Sequence, residues 1–202
     1  MHSAAVLRLT GTERAVAEIA AIAEHMASLT TAAAAFQLRP EGESSLVKLL
    51  DEESAPDAAE VLADIRAWCR QALGGERLPA IWRAMAHHPK MLEATWRKDR
   101  LVLGVGVLDE LVKACAALAV AQFRQSDYWI AYLSQFLRTS CGFDDRALVE
   151  LTGSVMHYVS FNTIAHGMGL DAPYENLRKG DFDPGGRLEH APLPGRSRIT
   201  RS

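Results

Sequence analysis

Apolar residues recur at three- and four-residue intervals along most of the chain, and no stretch between turn signals sustains an alternation of period two. That pattern predicts an all-α protein. Thr12-Glu13-Arg14 opens a first helix running to about Leu29, with Val16, Ile19, Ala20 and Ala23 on one face. The signal then fades between Arg39 and Pro56, where Pro40, Gly42, Ser44 and Ser45 predict a loop with a short amphipathic piece at Leu46, Val47, Leu49 and Leu50. Asp57 and Glu60 have the spacing of a capping box, so a helix is expected to Leu73, with Val61, Ile65 and Trp68 inward and Gly74-Gly75 ending it. Pro79 starts a short helix whose apolar face is Ile81, Trp82, Met85 and Ala86, and His88-Pro89 breaks it.

Pro89 opens another helix carrying Met91, Leu92, Thr95, Trp96 and Leu101, punctuated by Gly104 and Gly106. Leu108–Phe123 follows, with Leu111, Cys115, Leu118 and Ala119 on one side. Ser126 or Asp127 caps the next helix, which carries Trp129, Leu133, Phe136 and Leu137 and stops at Gly142. Asp144 or Asp145 caps a last long helix with Leu148, Leu151, Val155, Tyr158 and Val159 inward. After Leu170 the chain turns rich in proline, glycine and arginine, a composition that builds no core of its own and reads as an extended tail.

Composition narrows the function classes. A 202-residue chain with 49% hydrophobic and 23% charged residues is ordinary for a globular domain. The net charge of -3 gives no basic field for nucleic acid or an anionic membrane, so neither is expected as a partner. The Ala-rich stretch from Ala15 to Phe36 is interrupted by Glu18, Glu24 and His25, which predicts an amphipathic helix rather than a membrane span. No basic start is followed by an uninterrupted apolar run of the kind a secretory signal needs. Cys69, Cys115 and Cys141 include no C-x-x-C pair, which suits a reducing, cytoplasmic location better than a disulfide framework. His87-His88 has no ligand partner at helical spacing, and no metal or cofactor is expected.

Three blocks carry a family resemblance. Ile81-Trp82-Arg83-Ala84-Met85-Ala86-His87-His88-Pro89 followed by Met91–Trp96, then Leu108–Leu133, then Gly142–Leu170 ending in FNTIAHGMGL, together resemble the alkylhydroperoxidase-D/carboxymuconolactone-decarboxylase superfamily. The resemblance implies an AhpD-like helical bundle over residues 57–170, with 1–56 as an N-terminal helical extension and loop and 171–202 as an extended C-terminal tail. It also implies a homo-oligomer (dimer, trimer or hexamer), as relatives form through these helices. In its register Lys113 matches the family lysine and Ala114 falls at the family glutamate. Ser126 and Trp129 fall at the two cysteines, with Tyr128 keeping an intervening aromatic, and Leu133 falls at the histidine. A serine hydroxyl does not pass through a sulfenic acid and an indole resolves nothing, so the resemblance implies the fold without the thiol peroxidase chemistry.

Two functional expectations follow. In one, the protein is a non-redox oligomeric scaffold that binds a small apolar or aromatic ligand, or a protein partner. Lys113, Ser126, Trp129, Tyr132 and Leu133 are then the ligand-binding candidates, Lys113 holding an anionic group. In the other, lyase, isomerase or hydrolase chemistry is rebuilt in the same cavity, with Asp127, His157 and Tyr128 as candidate acid/base residues. Residual peroxidase activity through Cys115 or Cys141 ranks below both. Packing residues, a helix cap and a structural histidine are the plainer accounts of these positions.

Overall fold

The computed structural model describes residues 13–169, and among them every regular element is helical apart from one isolated bridge between Leu38 and Ser44. In chain order the helices are α1 (Glu13–Ala35), α2 (Ala59–Leu73), α3 (Ala80–Met85), α4 (Pro89–Leu103), α5 (Glu110–Phe123), α6 (Asp127–Cys141) and α7 (Asp145–Gly167), with a 3-10 turn at Pro56–Ala58 before α2. The described residues up to Ile164 form one compact unit; Ala165 begins a second, of which residues 165–169 are described. The tail expected over 171–202 lies outside the described residues.

The core is built by α1, α4, α5 and α6, with α2 and α3 closing one side. Alanines let α1 and α5 approach closely: Ala15 and Ala33 on α1 and Ala114, Ala117 and Ala121 on α5 are buried. Ile22, Met26, Leu29, Leu92, Leu118 and Leu137 fill the space between. Each such side chain contributes about 1.5–3 kcal/mol of transfer free energy. The helix assigned by sequence to an N-terminal extension therefore supplies part of the central core. Its buried stripe is Ala15, Ile22, His25, Met26, Leu29, Thr30 and Ala33, whereas Ala20 and Ala23 face outward. In so alanine-rich a helix several phases look equally apolar, and tertiary contact selects one of them.

Several other expectations are corrected. Asp57 lies in the 3-10 turn; α2 starts from Ala58 without a side-chain cap, and its buried residues are Leu62, Ile65 and Cys69, with Val61 and Trp68 half-buried. Leu46–Leu50 forms no helix; Leu46 is exposed, and the Leu49 and Leu50 carbonyls accept from the Arg83 guanidinium. Met91 and Leu101 on α4 are exposed. On α5 the inward face is Lys113, Ala114, Ala117, Leu118 and Ala121, with Leu111 exposed and Cys115 half-buried. On α7 no residue is buried; Leu148, Leu151, Val155 and Val159 are half-covered and Tyr158 is exposed.

Other local signals act as read. Asp144 Oδ1 accepts from the Ala147 amide ahead of α7. Gly142 ends α6 at φ 73°, a left-handed conformation that costs glycine nothing. His88 precedes Pro89, and its Nδ1 accepts from the Met91 amide at 3.2 Å.

Candidate functional site

A cavity of about 410 Å³ lies between α2, α3, α4, α5 and α6, within the range of small-molecule pockets. Its walls are largely apolar and aromatic: Trp68, Trp82, Leu103, Ala114, Ala117, Trp129, Tyr132, Leu133 and Phe136. Trp129 and Tyr132 meet edge to face with centroids 5.4 Å apart, as do Trp82 and Trp96. Such pairs add about 0.5–1.5 kcal/mol each beyond burial. Trp129 is fixed further, because its Nε1–H donates to the Leu29 carbonyl of α1 at 3.0 Å.

The polar wall comes from α4 and α5. Asp99 is buried, and one carboxylate oxygen lies 2.9 Å from Nε2 of the fully buried His25 on α1. The second oxygen, Oδ2, has no partner among the described residues and is not sealed from solvent. The Tyr132 hydroxyl is in the same state, and burial lifts its pKa well above the ordinary tyrosine value, with Asp99 adding to the rise. His25–Asp99 escaped the sequence reading. The available signal was that His25 falls three residues after Ile22 and four before Leu29, on the core stripe of α1.

Lys113 is also buried, and its ammonium is engaged. It donates to the carbonyls of Val102 (3.1 Å) and Gly104 (2.7 Å) at the end of α4 and lies 3.4 Å from Glu18 Oε2. The ammonium thus has two hydrogen bonds and a counter-charge. The Glu18 carboxylate accepts in turn from the amides of Val107 (2.7 Å) and Leu108 (3.0 Å). The Val107 hydrogen bond is the main reason its pKa falls below the ordinary value, against a desolvation penalty. Glu18 and Lys113 thereby hold the Val105–Leu108 connection, part of which rims the cavity. A Cβ at Gly106 would come 2.5 Å from Glu18 Oε1, so a larger residue there displaces the carboxylate.

Of the predicted ligand-binding residues, Lys113, Trp129, Tyr132 and Leu133 line this cavity, whereas Ser126 does not. Ser126 precedes α6 and makes no side-chain cap. Of the predicted acid/base residues none lines it. Asp127 is exposed on the first turn of α6, and His157 is exposed on α7 with its ring against Phe161. Tyr128 is buried, its hydroxyl accepts from the Ile81 amide at 3.3 Å, and burial raises its pKa to about 12. All three thiols are pushed up by burial, Cys69 to about 11. Among the described residues no group of three His, Cys, Asp or Glu side chains is placed to hold a metal, and no helix is long and apolar enough to cross a membrane.

The chain is similar to the crystallised alkylhydroperoxidase AhpD core from Rhodospirillum rubrum, with a TM-score of 0.56 and 25% sequence identity over 63% of this chain and 93% of that one. No protein-family model matches the sequence, and no curated protein matches it.

Proposed function

From the AhpD-like fold of this chain, we propose that the protein is a non-redox, homo-oligomeric binder of a small apolar or aromatic molecule held in the α2–α6 cavity. The observation that carries this reading is the cavity itself. Ala114, Trp129 and Leu133, which fall at the family's glutamate, second cysteine and histidine in the register above, converge on its wall with Lys113. Where the family resemblance implies a thiol centre, this chain offers indole, phenol and aliphatic surface. The three cysteines, all with raised pKa, give the thiol route no support.

Association is supported by α7. Val149, Met156, Phe161 and Ile164 are each more than half exposed in the single chain, an apolar face that a second copy would cover. Native mass spectrometry of freshly purified protein, followed by denaturation and identification of any released molecule, tests both parts. A multimer carrying a stoichiometric aromatic or acyl compound is the expected result. A multimer that stays empty and leaves tryptophan fluorescence unchanged under a panel of aromatic compounds would overturn the ligand reading. A strict monomer would overturn the assembly reading.

A second reading, acid/base chemistry in the same cavity, gains support from one observation: Asp99 on its wall is backed by the buried imidazole of His25. Turnover of a cavity ligand that is abolished by His25→Gln without loss of binding would establish it.

A further inference from the structure

We propose that the cavity selects an organic cation, an ammonium group carried on an aromatic or apolar body, with Asp99 as its counter-ion. This rests on the ligand-binding reading above and adds the charge of the ligand.

Three carboxylates and two cations line the cavity: Asp99, Asp109 and Glu110 against Arg100 and Lys113. The two cations differ in what they can still bind. The buried Lys113 ammonium donates to two carbonyls and is paired with Glu18. The Arg100 guanidinium lies over the rings of Trp68 and Trp96, 5.4 and 5.5 Å from their centroids. The buried cation is thus engaged, contrary to the anion-holding role considered for Lys113 from sequence, and the remaining one, Arg100, is exposed.

The negative side is free. Asp99 is nine-tenths buried and lines the cavity, and its Oδ2 has no partner among the described residues. Its other oxygen is held by His25, which fixes the direction of the carboxylate. In the Nε2–H tautomer the imidazole donates to one oxygen of Asp99 and leaves the other for a ligand. Asp109 and Glu110, both exposed, add negative potential at the mouth, although Asp109 also caps the Val112 amide. A buried carboxylate beside an unpartnered Tyr132 hydroxyl gives an ammonium two acceptors. Trp82, Trp129, Tyr132 and Phe136 line the cavity and supply the aromatic and apolar housing that the rest of such a molecule needs.

The test compares three probes of one shape: 2-phenylethylamine, 2-phenylethanol and phenylacetate, titrated at neutral pH by calorimetry and by tryptophan quenching. The amine is expected to bind about tenfold more tightly than the alcohol, with phenylacetate weakest. Asp99→Asn, which keeps an acceptor for His25, is expected to bring the amine down to the level of the alcohol and leave the alcohol unchanged. Equal binding of amine and alcohol, or tightest binding of phenylacetate, overturns the charge selection while the ligand-binding reading stands. Failure of all three probes to bind overturns both. Should Asp99→Asn fail to fold, the ranking of the three probes on the unaltered protein decides the question.

Discussion

Single side chains decide what chemistry this protein leaves open. A thiol reacts through its thiolate, and burial disfavours the charged form of all three cysteines. Alkylation of the native protein by iodoacetamide at neutral pH is therefore expected to run slower than that of free cysteine at each site. A cysteine that reacts faster, located by peptide mapping, would return thiol peroxidase chemistry to consideration. Glu18 makes a different prediction. Its folded-state pKa lies below 4.5, so the stability it contributes is complete above that value and is lost as pH falls through the lower folded value. Glu18→Gln should lower stability near neutrality, because it leaves the Lys113 ammonium buried without its counter-charge. The same change should flatten the acid limb of a stability–pH profile recorded by chemical denaturation. An unchanged acid limb would show that the contacts of Glu18 do not differ between the folded and unfolded states.

At the level of elements, the α4–α5 connection is the most constrained part of the site. The carbonyls that end α4 are satisfied by Lys113 from α5, and the amides that follow are satisfied by Glu18 from α1. One charged pair thus anchors three elements at the rim of the cavity. Gly106→Ala is expected to push the Glu18 carboxylate off the Val107 and Leu108 amides, at a cost of about 0.5–1.5 kcal/mol, since the freed amide of exposed Val107 can turn to water. Hydrogen exchange should then show the amides of Val107 and Leu108 losing protection while those of α6 keep theirs. Loss spread evenly over the whole bundle would mean that the connection is not a local anchor.

At the level of the whole molecule, the contrast between α1 and α7 is the main feature. Both are 23 residues long. α1 buries seven residues against α4, α5 and α6, while α7 buries none among those described. An apolar helix left so uncovered fits a molecule whose core is completed by another copy. Phe161→Asp, together with Met156→Asp, is expected to shift the mass measured by light scattering towards the monomer while the far-ultraviolet circular dichroism of the bundle persists. Retention of the multimer would place the interface elsewhere.

The sequence by itself determined the helices, because helix start and stop signals are local. Gly74, Pro89, Gly142 and Asp144 act within a few residues of themselves, and no distant contact is needed to read them. It also carried the resemblance that sets Lys113, Ser126, Trp129 and Leu133 at one expected site, of which Ser126 lies off the cavity wall. What only the tertiary structure decided was the phase of each helix and the state of each polar group. Alanine is a weak discriminator of faces, so the stripe of α1 and with it the inward direction of His25 depended on what packs against it. Asp99 lies 74 positions along the chain from His25, and no local pattern announces that pairing. Lys113 looked available to an anion from its position on α5. Folding brings Glu18 and the end of α4 to its ammonium, because a buried charge must find partners wherever the chain supplies them.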